Sequence, residues 1–194
     1  KRSIDYLVTN PDGIYVDGTL GGGGHSSEIL SRLSQRGKLI SFDKDTTAVK
    51  HCQERFSAEL ALGSESRLVI ENQCYSEAAN KEEIRGLTQG ILLDLGVSSR
   101  QLDESHRGFS YRFNARLDMK FASDGRSAED ILNAAAEDEL EHILRNYGEE
   151  PFAKVIARRI VQARRAAPLL YTFDLRDAVE QSVPQQILLK SLFE

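Results

Sequence analysis

A chain of 194 residues with 25 Lys and Arg against 30 Asp and Glu has a net charge of −5, and with 40% hydrophobic and 28% charged residues it reads as an ordinary globular protein. That length holds one domain with an insertion or two small domains, either able to bury a core. The acidic balance excludes a broadly basic nucleic-acid binder while leaving room for a local basic face, and no apolar run reaches the roughly 20 residues that span a bilayer.

Lys1 and Arg2 lead into mixed sequence, not into the apolar stretch of a signal peptide. Asn10-Pro11-Asp12-Gly13 is a turn, and Ile14-Tyr15-Val16-Asp17 reads as strand one. The run Gly18-Thr19-Leu20-Gly21-Gly22-Gly23-Gly24-His25-Ser26 follows it, and Ile29, Leu30 and Leu33 then mark one face of a helix from about Ser26 to Gln35. Gly37 is the expected stop of that helix. Strand, glycine turn and helix in this order form the nucleotide crevice of a doubly wound α/β fold.

Lys38 to Phe42 reads as strand two, closed by Asp43-Lys44-Asp45, and Thr46 to Phe56 as a helix. Arg67 to Glu71 and Gly90 to Asp94 read as strands three and four. Apolar strands alternating with helices predict a parallel sheet buried on both faces. After Gln101 the pattern changes. A loop from Leu102 to Asn114 is followed by two helical sets, Ile131, Leu132, Ala135, Leu140, Ile143 and Leu144, then Phe152, Val155, Ile156 and Ile160, with Pro151 in the first turn of the second. The expected division is 1–103 as a cofactor domain, 104–183 as a helical insertion, and 184–194 as a return toward the first domain.

Two acids frame the glycine run. Asp43 ends strand two roughly 20 residues beyond the turn, where a carboxylate accepts the ribose hydroxyls of an adenosine, whether of NAD or of S-adenosylmethionine. Asp17, at the end of strand one, would repel a pyrophosphate but would welcome a sulfonium and an α-ammonium. Counting G-x-G-x-x-G from Gly21 lands on Ser26, not on a third glycine. Both details favour S-adenosylmethionine over a dinucleotide.

The block from Gly90 to Asp103 places Asp94, Ser98, Ser99 and Gln101 at the carboxyl edge of the sheet, where ligands bind. Asp94 is read as a site residue. For Ser98 and Ser99 a site role and helix capping both stay open. Cys52 and Cys74 have no metal-ligand spacing, and they fit a reducing cytosol. Neither follows strand four. Charge is segregated: Glu129 to Glu141 carries no base, and Lys154 to Arg165 carries Arg158, Arg159, Arg164 and Arg165 with no acid. The second cluster fits either RNA contact or a solvated helix face.

Taken together, Asp17 to Ser26, Phe42 to Asp45, Ile91 to Asp103, Arg107 to Ser110, Leu117 to Lys120, Tyr147 to Glu150 and Ile156 to Arg158 make the chain resemble the bacterial 16S ribosomal RNA cytosine-N4 methyltransferase family. The resemblance covers nearly the whole chain. It implies a Rossmann-like class I methyltransferase sheet with a helical insertion, S-adenosyl-L-methionine as cofactor, and N4 methylation of a cytidine in the decoding centre of 16S rRNA. It also implies a cytoplasmic protein with the small ribosomal subunit as partner and no membrane. Cofactor contacts fall, by position, on Gly23, Gly24, His25, Asp43, Tyr75 (Phe is usual there), Asp94 and Gln101.

The family pattern has a His-Pro-Val segment ahead of Lys1, and a His-Pro-Ala-Thr-Arg-type block with two further strands behind. The expectation is a sheet incomplete at its C-terminal end, through truncation or through residues left out of this numbering. In place of an Asp/Asn-Pro-Pro-aromatic motif stands Asp94-Leu95-Gly96-Val97, so a stacking ring would come from Phe109, Tyr111 or Phe113, for which core packing is the equal alternative. A non-catalytic RNA-binding assembly factor and an NAD-dependent oxidoreductase are the rival readings. The sequence leaves the oligomeric state open.

Overall fold

A computed structural model of the chain describes residues 2–82, 84–122 and 124–182. The chain forms two compact units, one of residues 1–98 with 121–123 and the other of residues 99–120 with 124–194. The segment 184–194, expected to return toward the sheet, lies outside the described residues.

The first unit runs α1 (Arg2–Leu7), β1 (Ile14–Asp17), α2 (Gly24–Leu30), β2 (Lys38–Phe42), α3 (Thr46–Arg55), α4 (Ser57–Leu60), β3 (Leu68–Glu71) and β4 (Thr88–Leu92). Its four strands are all parallel, in the order β3-β2-β1-β4, which is the expected Rossmann-like sheet. β1 and β2 are apolar because both of their faces are covered. Ile4, Tyr15, Ile29, Leu33, Leu39 and Leu68 pack on one side. Val16, Ile40, Phe42, Ala78 and Ile84 pack on the other. The Tyr15 hydroxyl donates to the Asn10 carbonyl at 3.0 Å and accepts the Asn10 N–H, pinning the turn that feeds β1. β4 is an edge strand among the described residues, and Ile91 within it is 57% exposed.

Three sequence expectations shift. Strand four is centred two residues earlier than expected. Its ladder with β1 ends at Asp17↔Leu92, so Asp94 lies beyond the strand. Helix α2 stops at Leu30, well short of Gln35. The Ser31 hydroxyl donates to the Glu28 carbonyl, and Arg67 Nη1 takes the carbonyls of Leu30 and Leu33, so side chains satisfy the helix end early. Gly37 therefore caps no helix and has no left-handed φ. A Cβ there would lie 2.3 Å from the Pro11 carbonyl oxygen, so close backbone approach explains the glycine.

The second unit runs α5 (Ser99–Asp103), α6 (Ala128–Ala134), α7 (Glu137–Asn146), α8 (Ala153–Ala166) and α9 (Thr172–Glu180). Ala153, Ile156, Ala157 and Ile160 form the buried stripe of α8 at i, i+3, i+4 and i+7. They meet Leu117, Leu132, Ala135, Leu140, Leu169 and Ala178 in one core. Val155 falls off that stripe and is exposed, contrary to its assignment to the apolar set. Pro151 sits in the turn just ahead of α8. Ser127 and Asp130 form a capping box at the start of α6.

Ile160 has no exposed surface and packs within this core. Ile160→Ala is expected to destabilise the second unit by about 2–5 kcal/mol, read by denaturant unfolding.

Candidate functional site

The site is built on the loop between β1 and α2. Asp17, at the C-terminal end of β1, has no exposed surface. Its Oδ1 accepts the Thr19 backbone N–H at 3.1 Å and its Oδ2 accepts the Ser26 hydroxyl at 2.7 Å. Ser26 Oγ lies 2.9 Å from Ser41 Oγ, on the β2 residue that pairs with Asp17. All three side chains are buried. Burial pushes the Asp17 carboxyl above its usual 3.8, against the pull of the Ser26 hydroxyl, the Thr19 N–H and the nearby His25, while Asp43 pushes it further up. Asp17 was expected to meet a cationic ligand directly. Sealed in this way, it instead supports the loop from beneath.

Asp43 holds the other side of the loop. Its Oδ2 accepts the Gly21 N–H and its Oδ1 accepts the Asp45 N–H, both at 2.8 Å. A carboxylate offers about four lone-pair directions. Each oxygen therefore keeps capacity for one more donor, as two ribose hydroxyls require. Asn72 Nδ2 donates to the Asp43 carbonyl at 2.9 Å, and Thr46 Oγ1 donates to Asn72 Oδ1 at 3.1 Å, which ties the ends of β2 and β3 together.

The glycines divide by role. At Gly22 and Gly24 the position of a Cβ is open, with no heavy atom within 4 Å, so the loop offers bare backbone there. Gly23 has φ 76°, and its Cβ would lie 2.7 Å from the Phe56 ring and 3.0 Å from Cys52 Sγ. Cys52 Sγ also lies 3.3 Å from the Gly21 carbonyl oxygen. Arg55 Nη1 donates to the Gly22 carbonyl at 2.5 Å. The loop is thus pressed flat on α3.

Beyond the loop, His25 Nδ1 lies 3.7 Å from Asp94 Oδ2, with the two side chains 41% and 69% exposed. The Asp94 N–H donates to Thr19 Oγ1 at 2.8 Å. Tyr75 and Leu93 close over Gly18, where a Cβ would lie 2.9 Å from Tyr75 Cβ and 2.4 Å from Leu93 Cδ2. Within the first unit the structure therefore brings Asp17, Gly23, Gly24, His25, Asp43, Tyr75 and Asp94 to the carboxyl edge of the sheet, where α/β folds bind ligands. Ser98 is the last residue of that unit's main segment. Ser99 and Gln101 belong to α5 of the second unit, where Gln101 is buried. Among the described residues no three His, Cys, Asp or Glu side chains are placed to hold a metal ion.

Thr19, Ser26, Ser41, Asn72 and Leu93 carry the geometry but were not singled out from the sequence as site residues. The spacing Asp17-x-Thr19 is the available signal, since an Asp side chain commonly binds the N–H two residues on.

The arginines of α8 have separate fates. Arg158 Nε lies 3.6 Å from Glu137 Oε1. Arg164 Nη1 donates to the Leu132 carbonyl at 2.7 Å, closing the C-terminal end of α6. Arg159 donates to Gln181 Oε1, and its Nε is buried. Arg158 and Arg165 are exposed. The acids Glu129, Asp130, Glu137, Asp138 and Glu139 fill the first turns of α6 and α7, where the helix dipole favours them. Of the ring candidates, Phe109 is half-buried beneath the Arg107 guanidinium, while Tyr111 and Phe113 are exposed on the second unit.

Two outcomes follow from the buried acid. Ser26→Ala removes an O–H donor from an enclosed carboxylate and is expected to cost about 2–3 kcal/mol in denaturant unfolding. Because burial raises the Asp17 carboxyl, the folded chain binds that proton more tightly than the unfolded chain does. Asp17's contribution to stability is thus full below 3.8 and is lost as pH rises through its folded value. The unfolding free energy of the wild type relative to Asp17→Asn should fall as pH is raised from 3.8 toward neutrality. A difference that is flat or rises over that range contradicts this.

Residues 1–192 match the sequence profile of the MraW methylase family. Curated relatives named ribosomal RNA small subunit methyltransferase H are similar over most of the chain. That of Lactobacillus gasseri is 45% identical over 187 residues, 94% of this chain and 59% of its own length. That of Clostridium botulinum (strain Kyoto / Type A2) is 44% identical over 186 residues, 95% of this chain and 59% of its own. That of Fusobacterium nucleatum is 41% identical over 189 residues, 95% of this chain and 58% of its own. The chain thus spans just under three-fifths of the length of these relatives. With nearly every residue inside the matched region, the chain belongs to the MraW methylase family.

Proposed function

We propose that this chain carries the cofactor site of an S-adenosylmethionine-dependent methyltransferase that methylates N4 of a cytidine in the decoding centre, the P-site region, of 16S rRNA. The observation that carries the reading is the loop geometry: bare glycine backbone held between Asp17 and Asp43, with His25 and Asp94 facing each other at its mouth. The relatives named as small-subunit rRNA methyltransferases support the class of substrate. A cytoplasmic setting with the small ribosomal subunit as partner belongs to the same reading. No helix among the described residues is long and apolar enough to cross a membrane.

The donor set fits an adenosine carrying a charged amino-acid tail. Asp43 retains acceptor capacity for both ribose hydroxyls, Tyr75 and Leu93 offer apolar surface beside Gly18, and Gly22 and Gly24 present open backbone. S-adenosylmethionine, when bound, supplies the methyl group as an electrophile. Asp94 takes the role of acceptor for the N4 hydrogens, favouring the pyramidal form of an amine whose lone pair is otherwise delocalised into the ring. Ser98 and Ser99 are proposed to assist there, and Gln101 to complete the cofactor contacts. Orientation supplies much of the acceleration, and charge stabilisation by Asp94 adds to it.

The second unit is proposed to be a helical insertion that reads the RNA. On α8, Lys154, Arg158 and Arg165 are all exposed and lie on one side of the helix. Arg159 and Arg164, given the partners described above, are proposed to keep that helix in place and to contact RNA less directly.

The test uses the full-length protein. Calorimetry is expected to show S-adenosylmethionine binding, weakened about a hundredfold by Asp43→Ala through the loss of two charge-assisted hydrogen bonds. Mass spectrometry of nucleosides from treated 30S particles should show N4-methylcytidine. Tight NADH binding with no response to S-adenosylmethionine would instead favour an oxidoreductase. Cofactor-independent RNA binding without methyl transfer would favour an assembly factor.

A further inference from the structure

Thr19 joins two parts of the site that otherwise have separate anchors. Its backbone N–H is held by Asp17 Oδ1, and Asp17 is locked to α2 and β2 through Ser26 and Ser41. Its Oγ1 accepts the backbone N–H of Asp94, which lies two residues past the last strand residue of β4. One position earlier, the Gly18 N–H donates to the Leu92 carbonyl at 2.9 Å, extending the tie between β1 and β4 beyond their ladder. The stretch that carries Asp94 is otherwise open: Leu93, Leu95 and Val97 are exposed, and Gly96 has φ 130°. Unlike Asp17, then, Asp94 sits on backbone with little packing around it.

We propose that Thr19 is a positioning residue for methyl transfer, carrying the placement set by the Asp17 cluster across to Asp94 and fixing the acceptor-side acid relative to the cofactor loop. The proposal rests on the reading of Asp94 as the residue that meets the methyl acceptor. Its chemistry is specific to a hydroxyl. The Asp94 N–H is held by the threonine Oγ, which accepts it at 2.8 Å while the Thr19 N–H is engaged below. A misplacement of about 1 Å at a reacting centre costs on the order of a hundredfold in rate, so one such tether is enough to matter.

Thr19→Val keeps the shape and the backbone N–H but removes the acceptor, whereas Thr19→Ser keeps the acceptor. In the full-length protein, Thr19→Val is expected to lower kcat for 30S methylation about tenfold or more while the S-adenosylmethionine Kd moves less than about threefold, with Thr19→Ser recovering most of the rate. Amide hydrogen exchange reads the same tether without turnover: the Asp94 amide should exchange faster in Thr19→Val and recover its protection in Thr19→Ser. Unchanged kcat in Thr19→Val overturns the proposal. So does a loss of rate matched by an equal loss of cofactor affinity, or a Thr19→Ser variant no better than Thr19→Val. A wild type that methylates nothing would remove the functional reading alone. In that case the exchange experiment still decides, and an Asp94 amide indifferent to Thr19→Val overturns the tether.

Discussion

A carboxylate without access to water is tolerable only where the protein itself supplies donors, and the first unit is organised around meeting that condition at Asp17. One donor comes from the loop backbone at Thr19 and the other from the first turns of α2 at Ser26, with Ser41 of β2 behind it. Satisfying one side chain therefore fixes where β1 ends, how the loop leaves it, and how α2 sits on the sheet. Since burial raises the carboxyl, the ionised form is held at a cost to the fold.

From that anchor the glycine loop is clamped on its other side by α3. Asp43 takes the Gly21 N–H, Arg55 takes the Gly22 carbonyl, and Cys52 and Phe56 fill the space beneath Gly23. The loop's rigidity comes from these partners, because glycine itself brings none. Gly23 is required for its left-handed φ and its packing, whereas Gly22 and Gly24 are bare toward the side a ligand would occupy. Two different demands thus meet within three consecutive glycines.

The parallel sheet was legible from the apolar strands, and the loop from its glycines and framing acids. Asp43 and Asp94 were also readable, because an acid at a strand's carboxyl end marks that edge. The role of Asp17 was not. Its charge suggested attraction to a cation, and only the packing reveals that both oxygens face inward. The two departures from a dinucleotide fingerprint, an acid before the turn and Ser26 in place of a third glycine, turn out to be one interaction. Helix ends were the least legible. At the end of α2, Arg67, far along the chain, takes the Leu30 carbonyl and the Leu33 carbonyl just beyond the helix, and no local pattern announces such a partner. Charge segregation in the second unit has a structural side that the sequence does not announce, since the acids complement helix starts and two of the four arginines satisfy polar groups inside that unit.

The central claim is that Asp43 binds ligand and loop with the same carboxylate. A crystal structure of the full-length protein with S-adenosylmethionine tests this most directly. The account predicts both ribose hydroxyls on the Asp43 oxygens while the Gly21 and Asp45 N–H groups still donate to them. Adenosine seated away from Asp43, or a loop that releases the Gly21 contact to admit it, would contradict the account.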